Sequence, residues 1–485
     1  MASLVKFIYD KFLVVNSRHP QYEPIRSGTP IVGQENQDDD LMRGGLSNIP
    51  NNVPVDRYKL VYWIFLIQGL AMLLPWNAFI TSSEFFRAKF SGSPYAHNFQ
   101  NYFSIGFTLF NLIFFGQALY TQRKADIFRR IVFSLIINVL VFSSMAISTL
   151  CVDSFSPSGY FYFSMCMLLI TGATTSWIQN GIFALASQFA PIHMQAVMSG
   201  QGVAGITVSI TQIMAALATE TSSNQEATPT LEDLTRGAKY YFVFTLAVAV
   251  AALISFSILI RLPTYHYYTF RSKQQSDVFD GTNSTDSSIT EQARFLSKTL
   301  NRIPLLACAV LLAFVVTLAL FPSITASIKS VVKPGDRQKF QQDYLFIPIH
   351  FLIFNGGDLI GRNLPGLDCL MIASQRKLAI FSLFRLIFVP IFLTCNVDAG
   401  NSVSQSFPLL IKNDMLYFSF LMLFAVTGGY LGSSVMMAGP QMVPDNERDI
   451  AGGILGFSLI LGLVVGSAFS FLARAVICEC NPFLS

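Results

Sequence analysis

The chain has 485 residues, of which 52% are hydrophobic and only 12% charged, with a formal net charge of +4. Its mean hydropathy of +0.50 exceeds what a water-soluble domain carries, so lipid rather than water sets the length of its elements. So small a net charge gives no grip on nucleic acid; the 7 Cys lie mostly in apolar runs, and Cys478 with Cys480 lacks the second pair of a zinc site, so neither metal nor cofactor is expected.

Residues 1–58 mix Pro, Gly and Asn with the acidic run Asp38 to Asp40, the composition of a disordered cytosolic tail. No small-residue cleavage site follows Met1 to Val15, so no signal peptide is read; Leu41 and Met42 behind the acids resemble a dileucine sorting signal. Windows of about 20 residues then give about eleven spanning candidates. In chain order they run Leu60 to Thr81, Tyr102 to Tyr120, Ile131 to Cys151, Tyr160 to Phe189, Ala196 to Ala218, Tyr240 to Ile260, Pro304 to Ile324, Tyr344 to Leu364, Leu378 to Val397, Met415 to Ala438 and Ala451 to Val476. All must be helices, because an open sheet cannot cross lipid, and the fourth is long enough to hold an interfacial turn. A linker at 262–302, rich in Ser, Thr, Asn and Gln, separates a first bundle at 59–261 from a second at 303–477, and 478–485 form a short tail.

Lys and Arg in the loops orient the chain. With the N-terminus in the cytosol, Arg57, Lys59, Arg123, Lys124, Arg129, Arg130, Arg271, Lys273, Arg294, Lys298, Arg376 and Lys377 fall inside. Lys329, Lys333, Arg337 and Lys339 disagree, since they lie in an outside loop. The sequon at Asn283 falls on the cytosolic side and is expected to stay unmodified.

Polar residues inside the apolar segments carry the functional signal. In the eighth segment, NGGDLIGR places Asp358 and Arg362 four residues apart, on one helix face. A carboxylate at mid-bilayer costs roughly 2.5 to 3.5 kcal/mol, so it persists only beside a partner or a hydrated cavity. Paired with Arg362 it presents hydrogen-bonding edges without net charge, which suits a neutral, polar solute. In the first segment, Pro75 frees a backbone carbonyl, Trp76 offers an aromatic face and Asn77 an amide. The fourth holds Thr174, Thr175, Ser176, Gln179 and Asn180, whose amides need partners in protein, water or ligand.

The fifth segment opens with MSGQGVAG, a formal G-x-G-x-x-G at Gly200, Gly202 and Gly205. No strand precedes it, so close helix packing is the better account than dinucleotide binding. His350 lies eight residues before Asp358 and is a candidate for proton coupling together with it, although about 80 degrees separates the two on the helix. No H-E-x-x-H, P-loop or G-x-S-x-G occurs, so the chain reads as a non-enzyme whose work is driven by gradients.

The strings PWNAFIT, WIQNGIFALA, MSGQGVAG, FNGGDLIGR, RLIFVPIFLTCN and GGYLGS occur in this order along almost the whole chain. Together they resemble the equilibrative nucleoside transporter family. The resemblance implies an all-α polytopic membrane protein of about eleven transmembrane helices, in a major-facilitator-like arrangement of six plus five. It implies alternating access around a central site for nucleosides such as adenosine, uridine and inosine, with nucleobases an open possibility, in a carrier expected to be a monomer in the lipid bilayer. Residue by residue, it places Leu73, Trp76 and Ile80 on the base side and Phe107 and Phe110 as wall residues. It gives Gln179 the base edge, gives Asp358 and Arg362 the sugar hydroxyls, and sets Phe351 and Asn355 within two turns before Asp358. Against it stand a facilitator of sugars, peptides or drugs, and a polytopic receptor or scaffold. The acidic tail and linker tilt the location toward a vacuolar or endolysosomal membrane.

Overall fold

Several of the long helices begin where the sequence offers a cap or a proline. Asp126 accepts from the amides of Phe128 and Arg129 to open α3 (Ile127–Ser148), and Ser156 with Pro157 at the first position opens α4 (Pro157–Gln188). Thr230 and Asp233 form a capping box at the head of α6 (Leu231–Leu259), and Asn413 caps α10 (Asp414–Ala438). The remaining long helices are α1 (Leu60–Thr81), α2 (Phe99–Tyr120), α5 (Pro191–Ser222), α7 (Pro304–Leu320), α8 (Asp343–Asn363) and α11 (Arg448–Cys478). The structure, a computed structural model, describes residues 54, 56–96, 98–222, 230–270, 289–322, 324–397 and 409–478. Asp38 to Met42, Asn283 and Cys480 lie outside them.

Among the described residues, ten helices are long and apolar enough to cross a membrane. The remaining expected segment is α9, which is broken. It runs as Gln375–Phe384, a 3-10 turn at Arg385–Ile387, and Phe388–Leu393. Pro390 lacks the amide that would bond the Leu386 carbonyl, and the tighter turn forms at that place.

Three expectations change. The fourth segment holds no interfacial turn: α4 is continuous over 32 residues, about 48 Å of helix, longer than the roughly 30 Å of hydrocarbon it would cross. The fifth begins at Pro191 rather than Ala196, so MSGQGVAG lies about two turns inside it. The polar residues that hid this start are satisfied, since His193 Nδ1 bonds the Ala190 carbonyl at 3.2 Å and Gln195 Nε2 donates to the Asn363 carbonyl at 2.8 Å. Finally, the linker is not flexible throughout, because Ile289–Leu300 is a helix. Its Lys298 and the following Arg302 reach the buried Glu447 at 3.6 and 3.5 Å.

Successive helices alternate direction, so α1, α3, α5, α7, α9 and α11 start on one side, called here the near face. The apolar core divides by height. One cluster at the near face joins both bundles: it combines Ile178 and Phe183 of α4 and Val197 of α5 with Val435 of α10 and Leu455 of α11. Toward the far face there are two separate clusters. One holds Phe79, Phe103, Phe142 and Phe242 of the first bundle; the other holds Phe354, Phe388, Phe392 and Phe424 of the second. Burial follows the same division, for residues 193–202 of α5 are all buried, whereas Ile210 and Met214, further along, are 50% and 62% exposed. The bundles meet at the near face and part toward the far one.

Candidate functional site

The Asp358 and Arg362 side chains lie on one face of α8, and Arg362 Nε donates to Asp358 Oδ2 at 2.6 Å. The pair is sunk in the protein, with side chains 16% and 9% exposed. It does not stay within its own bundle. Arg362 Nη1 crosses to α5, donating to the Met198 carbonyl at 3.1 Å and to Gln201 Oε1 at 3.1 Å. Asp358 Oδ1 and Arg362 Nη2 carry no hydrogen bond among the described residues, which leaves an acceptor and a donor for a ligand.

Backbone approach makes room for this pair. A Cβ on Gly361 would overlap the Val426 carbonyl of α10, and one on Gly429 would overlap the Asp358 carbonyl, so the two glycines let α8 and α10 touch along the site. On the other flank, Gly202 faces Leu359 and Arg362, and Gly205 faces Asn355. Asn355 Nδ2 donates to Ser209 Oγ at 2.8 Å and to the Phe351 carbonyl at 3.0 Å, so it also bridges α8 to α5.

The aromatic wall forms between α1 and α2. Trp76 stacks on Phe107 with centroids 4.5 Å apart and planes 24° apart. One turn before Trp76, Met72 Sδ accepts weakly from Gln201 Nε2 at 3.6 Å. One glutamine thereby joins α1, the helix that carries Trp76, to the ion pair. Gln179 of α4 is buried with no hydrogen-bond partner for its Oε1. A buried amide oxygen left without a partner is uncommon and marks a place where a ligand or water belongs.

Phe110 stacks on Phe114 at 5.7 Å, and Phe114 meets Trp177, while the Phe110 Cβ and the Phe107 ring both face Gly172 of α4. Leu73 is half-buried and Ile80 exposed. His350 is buried, bonds Thr325 Oγ1 at 3.0 Å, and packs against Phe321 and Phe351. Its eight residues of separation place it about 12 Å along the axis from Asp358.

Three contributors escape a reading of the sequence for site residues: Gln201, Met72 and Arg385. Arg385, fully buried at the break in α9, donates to the Ala313 carbonyl at 2.7 Å, Thr317 Oγ1 at 3.0 Å and the Phe424 carbonyl at 3.1 Å. Its guanidinium also lies 4.6 Å from the centre of the Phe424 ring. The same rule that singles out Asp358, a charge in an apolar segment, applies to it.

A family model described as "Nucleoside transporter" matches residues 165–475. The chain belongs to this nucleoside transporter family. It is 29% identical to human equilibrative nucleoside transporter 1 over 472 residues, which cover 87% of this chain and 99% of the relative. Human equilibrative nucleoside transporter 2 is 27% identical over 475 residues, covering 88% and 99%. The nucleoside transporter FUN26 of Saccharomyces cerevisiae is 25% identical over 452 residues, covering 85% and 84%.

Among solved structures, the major facilitator proton:xylose symporter XylE superimposes with a TM-score of 0.57 at 12% identity, covering 88% of this chain and 91% of its own. The E. coli fucose:proton symporter FucP gives 0.53 at 14%, covering 89% and 94%. The fold is therefore the major facilitator one. Family membership makes this chain an integral membrane carrier rather than an enzyme.

Proposed function

We propose that this chain moves nucleosides down their gradients by alternating access, with the Asp358–Arg362 pair as the sugar-binding element. The observation that carries the reading is this ion pair, neutral as a unit, buried at the seam of the two bundles and retaining one free acceptor and one free donor. A ribose presents vicinal hydroxyls that can donate to Asp358 Oδ1 and accept from Arg362 Nη2. The Trp76–Phe107 stack supplies a flat apolar surface for a base, and the orphan amide of Gln179 a group to read its edge. A phosphorylated nucleoside would bring charge that the compensated pair does not match.

In this reading the near face is cytosolic, because Arg123, Lys124, Arg129, Arg130, Arg376 and Lys377 all flank near-face helix ends. The structure is then the outward-facing state. Transport is facilitated diffusion; His350 bonds Thr325 and packs on aromatic rings. The test is uptake of labelled uridine and adenosine into proteoliposomes holding the purified protein. Saturable flux that stops when the gradient collapses is expected; folded protein with no saturable flux overturns the proposal.

A further inference from the structure

Packing is the role the sequence suggests for Gly200 and Gly202, and it leaves the residue between them without one. The structure gives that residue a position of its own. A Cβ on Gly200 would overlap the Leu66 carbonyl of α1, while Gly202 faces Leu359 and Arg362 of α8. At this height α5 is therefore wedged between α1 of its own bundle and α8 of the other. Gln201, 7% exposed, reaches both: its Nε2 meets Met72 Sδ on α1, and its Oε1 accepts from Arg362 Nη1 on α8.

We infer that Gln201 is a positioning residue, which holds the Arg362 guanidinium on the first bundle whenever the near face is closed and so biases the carrier toward that state. Arg362 has two allegiances. Its Nε serves Asp358 within α8, and its Nη1 serves Met198 and Gln201 across the seam. When the near face opens, α5 and α8 separate and the second set of bonds breaks, while the first, lying inside one helix, travels intact. The bond to Gln201 thus exists in one conformation and is absent from the other, which is the condition for an interaction to shift their balance. A ligand that occupies Asp358 and Arg362 Nη2 binds the same guanidinium, so site and seam share one group. The other side-chain bonds between α5 and α8, Gln195 and Ser199 to Asn363 and Asn355 to Ser209, make no contact with Arg362.

This inference rests on the alternating-access part of the proposed function, but its first test needs no substrate. Ser187, buried under Gly452 between α4 and α11, is replaced by Cys in a background lacking the 7 native Cys, and its reaction with a maleimide reports opening of the near face. Gln201→Leu removes the acceptor and is expected to raise the labelling rate on the order of tenfold, the scale of one hydrogen bond to a charged group. Gln201→Glu places a carboxylate on Arg362 and is expected to lower it.

Uridine half-saturation measured from the far side should rise with Leu and fall with Glu, because each variant changes the fraction of carrier open to that side. A residue that only fills space would degrade both variants alike. Unchanged labelling in both, or a shift in the same direction, overturns the inference. If Gln201→Leu does not yield folded carrier, Gln201→Glu decides alone: slower labelling upholds the inference, and equal or faster labelling overturns it. Labelling that follows the expected pattern in a carrier without uridine flux would fault the nucleoside reading and leave this one standing.

Discussion

Removing one member of the Asp358–Arg362 pair should have a different signature from removing both. Asp358→Ala leaves a guanidinium that is 9% exposed without its counterion, and breaking a buried pair in this way costs about 3 to 5 kcal/mol. The low end applies here, because Arg362 Nη1 keeps the Met198 carbonyl and Gln201, which solvate part of the charge. Arg362→Ala leaves a carboxylate that accepts from no other described residue and should sit at the upper end. The double variant buries no charge, and pairs replaced by apolar groups are often neutral for stability, so it should recover most of the lost stability. Flux should not recover, since the groups proposed to meet the sugar are gone. Thermal unfolding of the purified protein measures the first quantity and uridine uptake into proteoliposomes the second. A double variant that regains uptake, or an Asp358→Ala carrier that transports at the original rate, refutes the assignment of this pair to the substrate.

Nucleosides lacking the 2′ or 3′ hydroxyl should compete roughly tenfold to a hundredfold less well, because a buried donor or acceptor is left unpaired, at about 1 to 3 kcal/mol; equal competition across the series would place the sugar elsewhere. Gln179→Leu should hold or raise thermal stability by removing a buried amide oxygen that lacks a partner, and at the same time lower uptake, with unequal losses for purine and pyrimidine nucleosides in competition assays. Arg385→Met should lower the unfolding temperature by freeing the carbonyls of Ala313 and Phe424, and Arg385→Lys should restore part of the loss. Gly361→Val should cost about 1 to 3 kcal/mol or more, through overlap with the Val426 carbonyl, and uptake should fall because α8 is pushed off α10 at the site.

The helical segments and their order were legible because lipid imposes length and apolarity on a spanning helix, and ten of the eleven expected segments are long helices. The misplacements have local causes. His193 and Gln195 are polar, and a hydropathy window drops them, whereas the fold satisfies both and runs α5 through them. The break in α9 is a backbone event at Pro390 and a buried Arg385, neither of which lowers hydropathy enough to show. The ion pair was legible from charge and the four-residue spacing, since both partners share one helix. Gln201 was not: its two contacts depend on α1 and α8 arriving on its two sides, and no local pattern in MSGQGVAG encodes that meeting.

A carrier that works in both directions needs two conformations within a few kcal/mol of each other, and the near-face seam is built for that. Where α11 crosses α4, Gly452 and Gly456 set the helix against Phe183 and Ser187, and Gly453 sets it against Gln122 and Asn180, contacts made by close approach rather than by interlocked large side chains. The bonds across the seam are mostly between uncharged groups such as Gln195, Ser199, Asn355 and Asn363, and Gln122 reaches Asp449 only at 3.5 Å. Water can replace each of these when the face opens, so separation forfeits only the modest net value of each bond. The large aromatic clusters lie inside each bundle on the far side, where rocking does not divide them. Rigidity is thus placed within the bundles and reversibility between them, and the Asp358–Arg362 pair stands on the boundary, carried by α8 and bonded across to α5 through Arg362.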